Sequence, residues 1–236
     1  MLGELIFMIL PSKVSASMMC ASLIDLKKDV EELENVGVDY LHIDIMDGVF
    51  VPNIMLSNEF IKAVRSVTDL PMDMHLMIVQ PENKIKWFDI RPGDYVSIHY
   101  ESTSNVLGTL QLIEEMGGKP GVALSPATPV ESIKYLLENL QMVNVMAVNP
   151  GFSGRKMVPM TLKKINDTRE FLNRNGREDI SVEVDGNITV EHAKQMRDAG
   201  ADMFVGGSSS LFLPNASISK NCDMLFKSIK KAAPIK

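Results

Sequence analysis

The residues best suited to chemistry lie in one short stretch, Tyr40 to Gly48, where His42 and Asp44 stand two positions apart. Successive side chains of a β-strand point to opposite faces, so these two share a face, while Leu41 and Ile43 fill the other. Burying an imidazole and a carboxylate without partners is costly. The pattern therefore predicts either a hydrogen-bonded pair in the core or two ligands of a divalent cation.

Repeated strand–helix units must position these residues. The predicted strands are Lys13 to Met18, Tyr40 to Ile45, Pro71 to Ile78, Asp94 to His99, Lys119 to Leu124, Gln141 to Val148, Ile180 to Val184 and Asp202 to Val205. The predicted helices are Leu23 to Val36, Asn58 to Ser66, one opening at Pro81, Asn105 to Met116, Pro129 to Leu140, Thr161 to Asn175, Val190 to Ala199 and Ser219 to Ala232. Eight such units predict a single parallel (β/α)8 barrel, and a doubly wound open sheet is the alternative.

Length and composition narrow the class of protein. A chain of 236 residues fits one barrel domain, which we assign to residues 13–236, preceded by an N-terminal extension over residues 1–12. The net charge of −6 and the lack of a Lys/Arg stripe argue against a nucleic-acid partner, and no segment is long enough to cross a bilayer. Cys20 and Cys222 have no metal-type spacing, which suits free thiols in a cytoplasmic protein.

Several polar residues fall at the carboxyl ends of the predicted strands, where barrels of this kind place their active sites. They are Ser17, His42, Asp44, His75 and Asp185. Two imidazoles and two carboxylates suit Zn²⁺, Mn²⁺, Fe²⁺ or Co²⁺ better than Ca²⁺, and Mg²⁺ is also compatible. Four separately hydrogen-bonded core groups are the alternative, and a satisfied core or loop histidine is the better interpretation of His99.

Two glycine-rich turns follow the sixth and eighth predicted strands, at Asn149 to Gly154 and at Gly206 to Ser210. Backbone N–H groups at the start of a following helix form an anion site, and this architecture often binds phosphate late in the barrel, near a short extra helix. Ser209 to Phe212 is predicted to be that helix. Any barrel needs glycines to turn its chain, so the phosphate interpretation depends on the neighbouring ligand set.

The two carboxylates suggest proton transfer on both faces of a carbon. Asp44 and Asp185 lie on strands that are not neighbours in an eight-stranded ring, so they can flank one substrate. A cation that binds a ketone oxygen makes the hydrogen on the adjacent carbon more acidic and stabilises the enediolate charge. Removal of a proton on one face and its return on the other is epimerisation. No Lys lies at a strand end in this set, which disfavours Schiff-base chemistry.

A set of short motifs runs along nearly the whole chain after the extension. They are Ser15-Ala16-Ser17-Met18, His42-x-Asp44-x-Met46-Asp47-Gly48, Phe50-Val51-Pro52-Asn53, His75-Leu76-Met77, Ser125-Pro126-Ala127-Thr128-Pro129, Met146 to Gly154, Glu183-x-Asp185-Gly186 and Gly207-Ser208. Through these motifs the chain resembles the ribulose-phosphate 3-epimerase family.

The resemblance implies a TIM barrel of the ribulose-phosphate-binding type and a phosphorylated ketose as substrate. It implies one divalent metal ion held by His42, Asp44, His75 and Asp185, with Asp44 and Asp185 as the two acid/base residues. It implies that Met46, Met77 and Met146 cap the site. The implied substrate contacts are Ser17, His75, Gly151, Phe152, Ser153, Gly154, Asp185, Gly186, Asn187, Gly207 and Ser208, the late glycines through the phosphate. We also expect a homo-oligomer.

Some positions depart from the usual ribulose-phosphate pattern, namely Met55, Ala147, Arg155, Asn187 and Ser208 to Ser210. Ser17 to Cys20, Leu56-Ser57 and Leu211-Phe212 look more similar to the branch that acts on allulose 6-phosphate. We therefore expect D-allulose 6-phosphate and D-fructose 6-phosphate as the pair, with D-ribulose 5-phosphate and D-xylulose 5-phosphate as the alternative. The intact ligand set argues against a non-catalytic sugar-phosphate-binding barrel, and the histidine pair argues against a metal-free phosphate-binding barrel.

Overall fold

Eight parallel strands close into one barrel in the computed structural model, which describes residues 10–230. The strands are β1 Lys13–Ser17, β2 Tyr40–Asp47, β3 Ile54–Met55, β4 Met72–Met77, β5 Tyr95–His99, β6 Lys119–Leu124, β7 Met142–Met146, β8 Ser181–Asp185 and β9 Met203–Gly206. The first strand, β1, pairs with both β2 and β9, which closes the ring. The predicted barrel is confirmed. Residues 1–9 of the predicted extension and the end of the predicted last helix lie outside the described residues.

Within residues 10–230, six α-helices cover the outside of the barrel. They are α1 Leu26–Val36, α2 Asn58–Arg65, α3 Val106–Glu115, α4 Thr161–Arg174, α5 Val190–Asp198 and α6 Ile218–Ser228. The inner faces of these helices pack on the outward side chains of the strands, among them Leu41 and Ile43, which are fully buried. The apolar face predicted for the second strand therefore points towards the helices, and the face of His42 and Asp44 points into the barrel.

Two predicted helices are wrong. The segment that opens at Pro81 forms two single 3₁₀ turns, Pro81–Asn83 and Ile85–Trp87, separated by Lys84 with φ −119°. The segment predicted from Pro129 to Leu140 likewise forms the 3₁₀ turns Val130–Ile133 and Leu137–Asn139.

The second of these two departures is one of winding. The N–H groups of Lys134, Leu136, Asn139 and Leu140 each donate to the carbonyl three residues earlier, which is the hydrogen-bond pattern of a 3₁₀-helix. The buried apolar residues of this segment recur every three or four positions, a spacing that both windings share. The apolar pattern therefore predicts a helical segment but not its winding.

The two-residue strand β3 is not part of the ring. It pairs antiparallel with the end of β2, Met46 opposite Met55, and the Gly48 N–H donates to the carbonyl of Asn53 at 2.9 Å. The segment from Met46 to Met55 is therefore a short hairpin that extends β2 above the barrel mouth.

The barrel interior is polar at mid-height and apolar at its base. The buried polar side chains at mid-height include Ser15, His42, Asp73, Ser97, Asn144 and Glu183. Below them Tyr40, Tyr95, Met142 and Met203 form an apolar cluster, and the Lys119 ammonium lies 4.9 Å from the centroid of the Tyr95 ring. Such a polar interior must be hydrogen-bonded internally or hold a bound group.

A buried arginine joins the outer helices to the base of the barrel. Arg169 of α4 donates to the carbonyls of Ile180 and Gly200 at 3.1 Å each and pairs with the carboxylate of Asp202. Asp202 also accepts from the Val182 N–H at 3.0 Å. Among residues 10–230 no helix is long and apolar enough to span a lipid bilayer.

Candidate metal centre and substrate cavity

Four side chains predicted as metal ligands converge at the barrel mouth. One ligand atom from each of His42, Asp44, His75 and Asp185 lies within 4.8 Å of the others. Asp44 and His75 are side by side because β2 and β4 pair in that register, and Asp185 stands at the end of β8. The structure thus brings the whole predicted set together.

The distances inside this cluster show which atoms face its centre. Nε2 of His42 lies 3.2 Å from Oδ1 of Asp44 and 3.8 Å from Oδ2 of Asp185. Nδ1 of His75 lies 3.4 Å from the same Asp44 oxygen and 3.3 Å from the Asp185 oxygen. The two histidines therefore approach the centre through different ring nitrogens.

The cluster fits a divalent cation. Nδ1 of His75 is buried and makes no hydrogen bond of acceptable geometry, although it points at two carboxylates. Such an unpaired buried nitrogen is costly unless another group binds it. Two nitrogens and two carboxylate oxygens are a donor set typical of Zn²⁺, Mn²⁺, Fe²⁺ or Co²⁺.

The charges of the cluster are mutually stabilised. Burial alone would lower the pKa of His42, but the carboxylates of Asp73 and Asp44 outweigh it and raise that pKa well above its usual value. Burial likewise opposes the shift at Asp44, yet His42 and His75 hold the pKa of its carboxyl well below the usual range. Asp44 is therefore a carboxylate at neutral pH.

Outer partners hold both imidazoles in place. Nδ1 of His42 lies 2.6 Å from Oδ2 of Asp73, which also accepts from the Ser15 hydroxyl at 2.8 Å. Nε2 of His75 lies 2.9 Å from Nε2 of His99. His99 is thus a buried, hydrogen-bonded histidine as predicted, but its partner is a residue of the cluster.

The contact of Asp73 with the site escaped prediction. Its signal was present in the sequence, because Asp73 stands two positions before His75 and must share its face of the strand.

The two carboxylates differ in their surroundings. The Ser17 hydroxyl donates to Oδ2 of Asp44 at 3.0 Å, and Asp44 is only 4% exposed. The Asp185 side chain is 16% exposed. One carboxylate is therefore fixed by a hydroxyl deep in the mouth, while the other meets solvent in the cavity.

A cavity of about 580 Å³, including the part open to solvent, lies over the cluster. Its walls include every predicted substrate and cap residue other than the buried His75, namely Ser17, Met46, Met77, Met146, Gly151, Phe152, Ser153, Gly154, Asp185, Gly186, Asn187, Gly207 and Ser208. The remaining wall residues include Pro150 and Ser209 of the two predicted glycine-rich turns, together with Met19, Cys20, Val148, Arg155, Ile188 and Val205, which were not predicted to contact substrate. Asp44 also lines this cavity, so the cluster opens into it.

Methionines form the apolar wall of the cavity. Met46 and Met77 are buried and pack with Val51 into one small cluster, and Met146 is 3% exposed. Their flexible, polarisable side chains can adapt to a bound molecule.

The two glycine-rich turns border the cavity, but neither leads directly into a helix. Helix α4 begins at Thr161, seven residues after Gly154, and α6 begins at Ile218. The predicted extra helix from Ser209 to Phe212 is wrong, because the N–H groups of residues 210–212 all donate to the Gly207 carbonyl in a compact turn. The helix-dipole part of the phosphate argument therefore fails, and only the turn backbones remain.

The backbone after Asp185 requires special residues. Gly186 has φ +108°, and a Cβ there would lie 2.5 Å from Cγ2 of Val148. Asn187 has φ +52°, a left-handed conformation that Asn tolerates better than most residues. The left-handed conformation at this position is therefore compatible with Asn187, one of the predicted departures from the usual motif pattern.

The fold and the site together define a (β/α)8-barrel enzyme with a His/Asp centre under a cavity at the carboxyl ends of its strands. The chain belongs to the ribulose-phosphate 3-epimerase family, whose model matches residues 13–212. Ribulose-phosphate 3-epimerase of Bacillus subtilis is 41% identical over 197 residues, which is 84% of this chain and 91% of that protein. The protein is thus an isomerase of the epimerase type, acting on a carbohydrate.

More distant relatives support the same family and fold. Ribulose-phosphate 3-epimerase of Methanocaldococcus jannaschii is 39% identical over 197 residues, 84% of this chain and 83% of that protein. The structure of N-(5'-phosphoribosyl)anthranilate isomerase from Pyrococcus furiosus superposes with a TM-score of 0.61 at 15% identity, covering 93% of this chain and 98% of that one. At that identity the second likeness shows the fold alone.

Proposed function

We propose that the protein is a ketose-phosphate 3-epimerase that interconverts D-ribulose 5-phosphate and D-xylulose 5-phosphate. The observation that carries the proposal is the meeting of Asp44 and Asp185 at one cation-binding cluster beneath a cavity. The names of the relatives support the five-carbon substrate over the hexulose phosphate that the motifs favoured.

The hexulose phosphate is the second candidate. Met19 and Cys20, which belong to the segment that resembles the allulose 6-phosphate branch, line the cavity. Gly207 lies against Cys20, since a Cβ on Gly207 would be 3.3 Å from its Sγ. Met19 and Cys20, which belong to a motif of the allulose 6-phosphate branch, are therefore placed where they can contact the substrate.

Asp44 and Asp185 act as the two proton carriers. When bound, a divalent cation would polarise the substrate carbonyl and stabilise the negative charge that develops as C3 loses its proton. Asp44, ionised and fixed by the Ser17 hydroxyl, exchanges a proton with one face of C3. Asp185 exchanges a proton with the other face, so that the returned hydrogen inverts the centre.

His42 and His75 would hold the cation together with the same two carboxylates. We propose Zn²⁺, Mn²⁺, Fe²⁺ or Co²⁺, with Mg²⁺ as a further candidate, because the donor set mixes nitrogen and oxygen. Protons would compete with the cation for His42 and His75, because the neighbouring carboxylates raise the pKa of both histidines.

The remaining wall residues orient the substrate. The backbone of residues 151–154 and of Gly207-Ser208 would bind the phosphate, and Asn187 would contact the sugar chain. Met46, Met77 and Met146 would cover the reacting carbons and exclude water. The homo-oligomeric state and the lack of nucleic-acid or membrane partners stay predictions, as does the cytoplasmic location, which the free thiols of Cys20 and Cys222 support.

The test compares turnover of D-ribulose 5-phosphate and D-allulose 6-phosphate by the same metal-loaded preparation, whose metal content is measured by elemental analysis. We expect kcat/KM to be at least about tenfold higher for the pentulose phosphate, a discrimination within reach of a shaped pocket. The opposite order would assign the hexulose phosphate. No turnover of either and no solvent exchange at C3 would contradict epimerase activity.

A further inference from the structure

A chain of hydrogen bonds leads outward from His75 to the protein surface. Nε2 of His75 lies 2.9 Å from Nε2 of His99, and Nδ1 of His99 lies 3.2 Å from Oε2 of Glu101. The other Glu101 oxygen accepts from the Ser125 N–H at 3.1 Å and from the Thr128 hydroxyl. Both rings are fully buried and nearly parallel, with planes 29° apart.

The direction of these hydrogen bonds follows from the carboxylate. Hydrogen bonds from His99 and Thr128 outweigh the effect of burial at Glu101 and lower its pKa to about 2, so this carboxylate only accepts. Nδ1 of His99 must therefore carry a hydrogen. In a neutral imidazole that donates from Nδ1 the other ring nitrogen is an acceptor, so Nε2 of His99 accepts.

The direction of these hydrogen bonds determines the tautomer of His75. Of two facing Nε2 atoms one must donate, and because His99 accepts, His75 carries its hydrogen on Nε2. The remaining ring nitrogen, Nδ1, is the one that points unpaired at Asp44 and Asp185. Outer partners of metal-binding histidines commonly fix the tautomer in this way.

We propose that His99 and Glu101 are positioning residues, which hold His75 in the orientation and tautomer that present Nδ1 to the divalent cation. This inference rests on the cation site of the proposed function. A purely structural role is the rival explanation, because Glu101 also anchors the loop at Ser125 and Thr128.

Glu101→Gln separates the two roles. The amide oxygen must stay at the position that accepts from Ser125 and Thr128, so the amide N–H₂ faces Nδ1 of His99. His99 is then forced into the opposite tautomer, its Nε2 donates, and His75 must carry its hydrogen on Nδ1. We expect the affinity for Co²⁺ or Zn²⁺ to fall about 10- to 100-fold. Thr128→Val is the matched control, since it loosens the same oxygen without changing polarity.

A second pair of variants tests His99 itself. His99→Phe keeps an aromatic ring against Phe50, whose centroid lies 4.7 Å away, but loses both hydrogen bonds. His99→Gln can place an amide oxygen near the former Nε2 and still accept from His75. We expect the Phe variant to lose affinity about as much as Glu101→Gln and the Gln variant to stay within a few-fold of wild type.

Two readouts apply to each variant: competition for Co²⁺ or Zn²⁺ against a chromophoric chelator, and nitrogen-15 NMR of histidine in the metal-free protein. Support consists of weakened binding in Glu101→Gln and His99→Phe, wild-type binding in Thr128→Val, and an Nε2-bound hydrogen on wild-type His75. Wild-type affinity in Glu101→Gln, or an equal loss in Thr128→Val, would overturn the proposal.

The same readouts keep this inference distinct from the proposed function. Wild-type protein that binds neither cation would contradict the proposed function at its metal site. The tautomer of His75 in that protein would still test the positioning role of His99 and Glu101: a hydrogen on Nε2 of His75 supports it, and a hydrogen on Nδ1 alone refutes it.

Discussion

Asp185→Asn is the cleanest perturbation of the two-carboxylate mechanism. In Asp44 one oxygen accepts from the Ser17 hydroxyl and the other lies 3.2 Å from Nε2 of His42, so an amide there changes one of these contacts in either orientation. Within residues 10–230 no hydroxyl holds Asp185 in this way. An amide at 185 can therefore keep its oxygen towards the cluster while it loses the ability to carry a proton.

The size of the effect follows from the number of faces affected. Loss of one general acid/base costs about 10²- to 10⁴-fold, or roughly 2.7 to 5.5 kcal/mol of transition-state stabilisation, and epimerisation needs both carboxylates. Exchange of the C3 hydrogen on the face served by Asp44 needs only Asp44. We therefore expect epimerisation to fall by that factor while exchange in one epimer falls much less.

The assay follows deuterium incorporation at C3 of each epimer in D₂O by proton NMR, at verified metal occupancy. Asp185→Asn should exchange the C3 hydrogen of one epimer without inversion. Because Asp44 is 4% exposed, the proton it accepts meets solvent slowly, so long incubations are needed. Asp44→Asn, reconstituted at high metal concentration, should exchange the other epimer.

The reasoning would be refuted by either of two results at full metal occupancy. Equal residual exchange in both epimers would show that one group serves both faces. Near-normal epimerisation by Asp185→Asn would show that Asp185 is not a proton carrier.

Three further predictions concern stability and its pH dependence. Arg169→Met should lower the unfolding free energy measured in urea by about 3 to 5 kcal/mol, because it leaves the buried carboxylate of Asp202 without its ion-pair partner. Lys163→Ala, which removes an exposed ion pair, should lower it by less than about 1 kcal/mol. Similar losses in the two variants would contradict this prediction. Burial lowers the pKa of Lys164 to about 8, so between about pH 8 and 10.5 the unfolded chain binds more protons than the folded protein. The unfolding free energy should therefore rise with pH over this range because of Lys164. Lys164→Met should lack this rise when urea melts are compared at several pH values. Gly186→Ala should lower both the melting temperature and kcat. Adding Val148→Ala should recover only part of the loss, because it removes the steric contact but not the strain of the positive φ. Complete recovery in the double variant would show that the positive φ of residue 186 is unimportant.

The sequence predicted the elements that alternate clearly. In β2 and β4 the strict apolar and polar alternation around His42 and His75 gave both the strands and the face they turn inward. The predicted ligand set lies together in the structure because parallel strands of one barrel end at the same mouth.

The departures share a physical cause: local signals mark where an element starts, but tertiary packing decides how it continues. Pro81 correctly marks a helical first turn, yet the Lys84 side chain reaches Asp47 and the Val79 carbonyl, and the winding stops there. His99 has no sequence signal that distinguishes a core histidine from the partner of His75, because that contact depends on which strands pair.

The opposite ring nitrogens used by the two histidines have a consequence for protein design. His42 faces the centre of the cluster with Nε2 at the tip of its ring, whereas His75 faces it with Nδ1, the ring nitrogen nearer its backbone. Grafting the four ligands alone onto another scaffold would reproduce the ligand residues without their relative orientation. Asp73, His99 and Glu101 would have to be transferred with the ligands, which makes the transferable unit a set of seven residues.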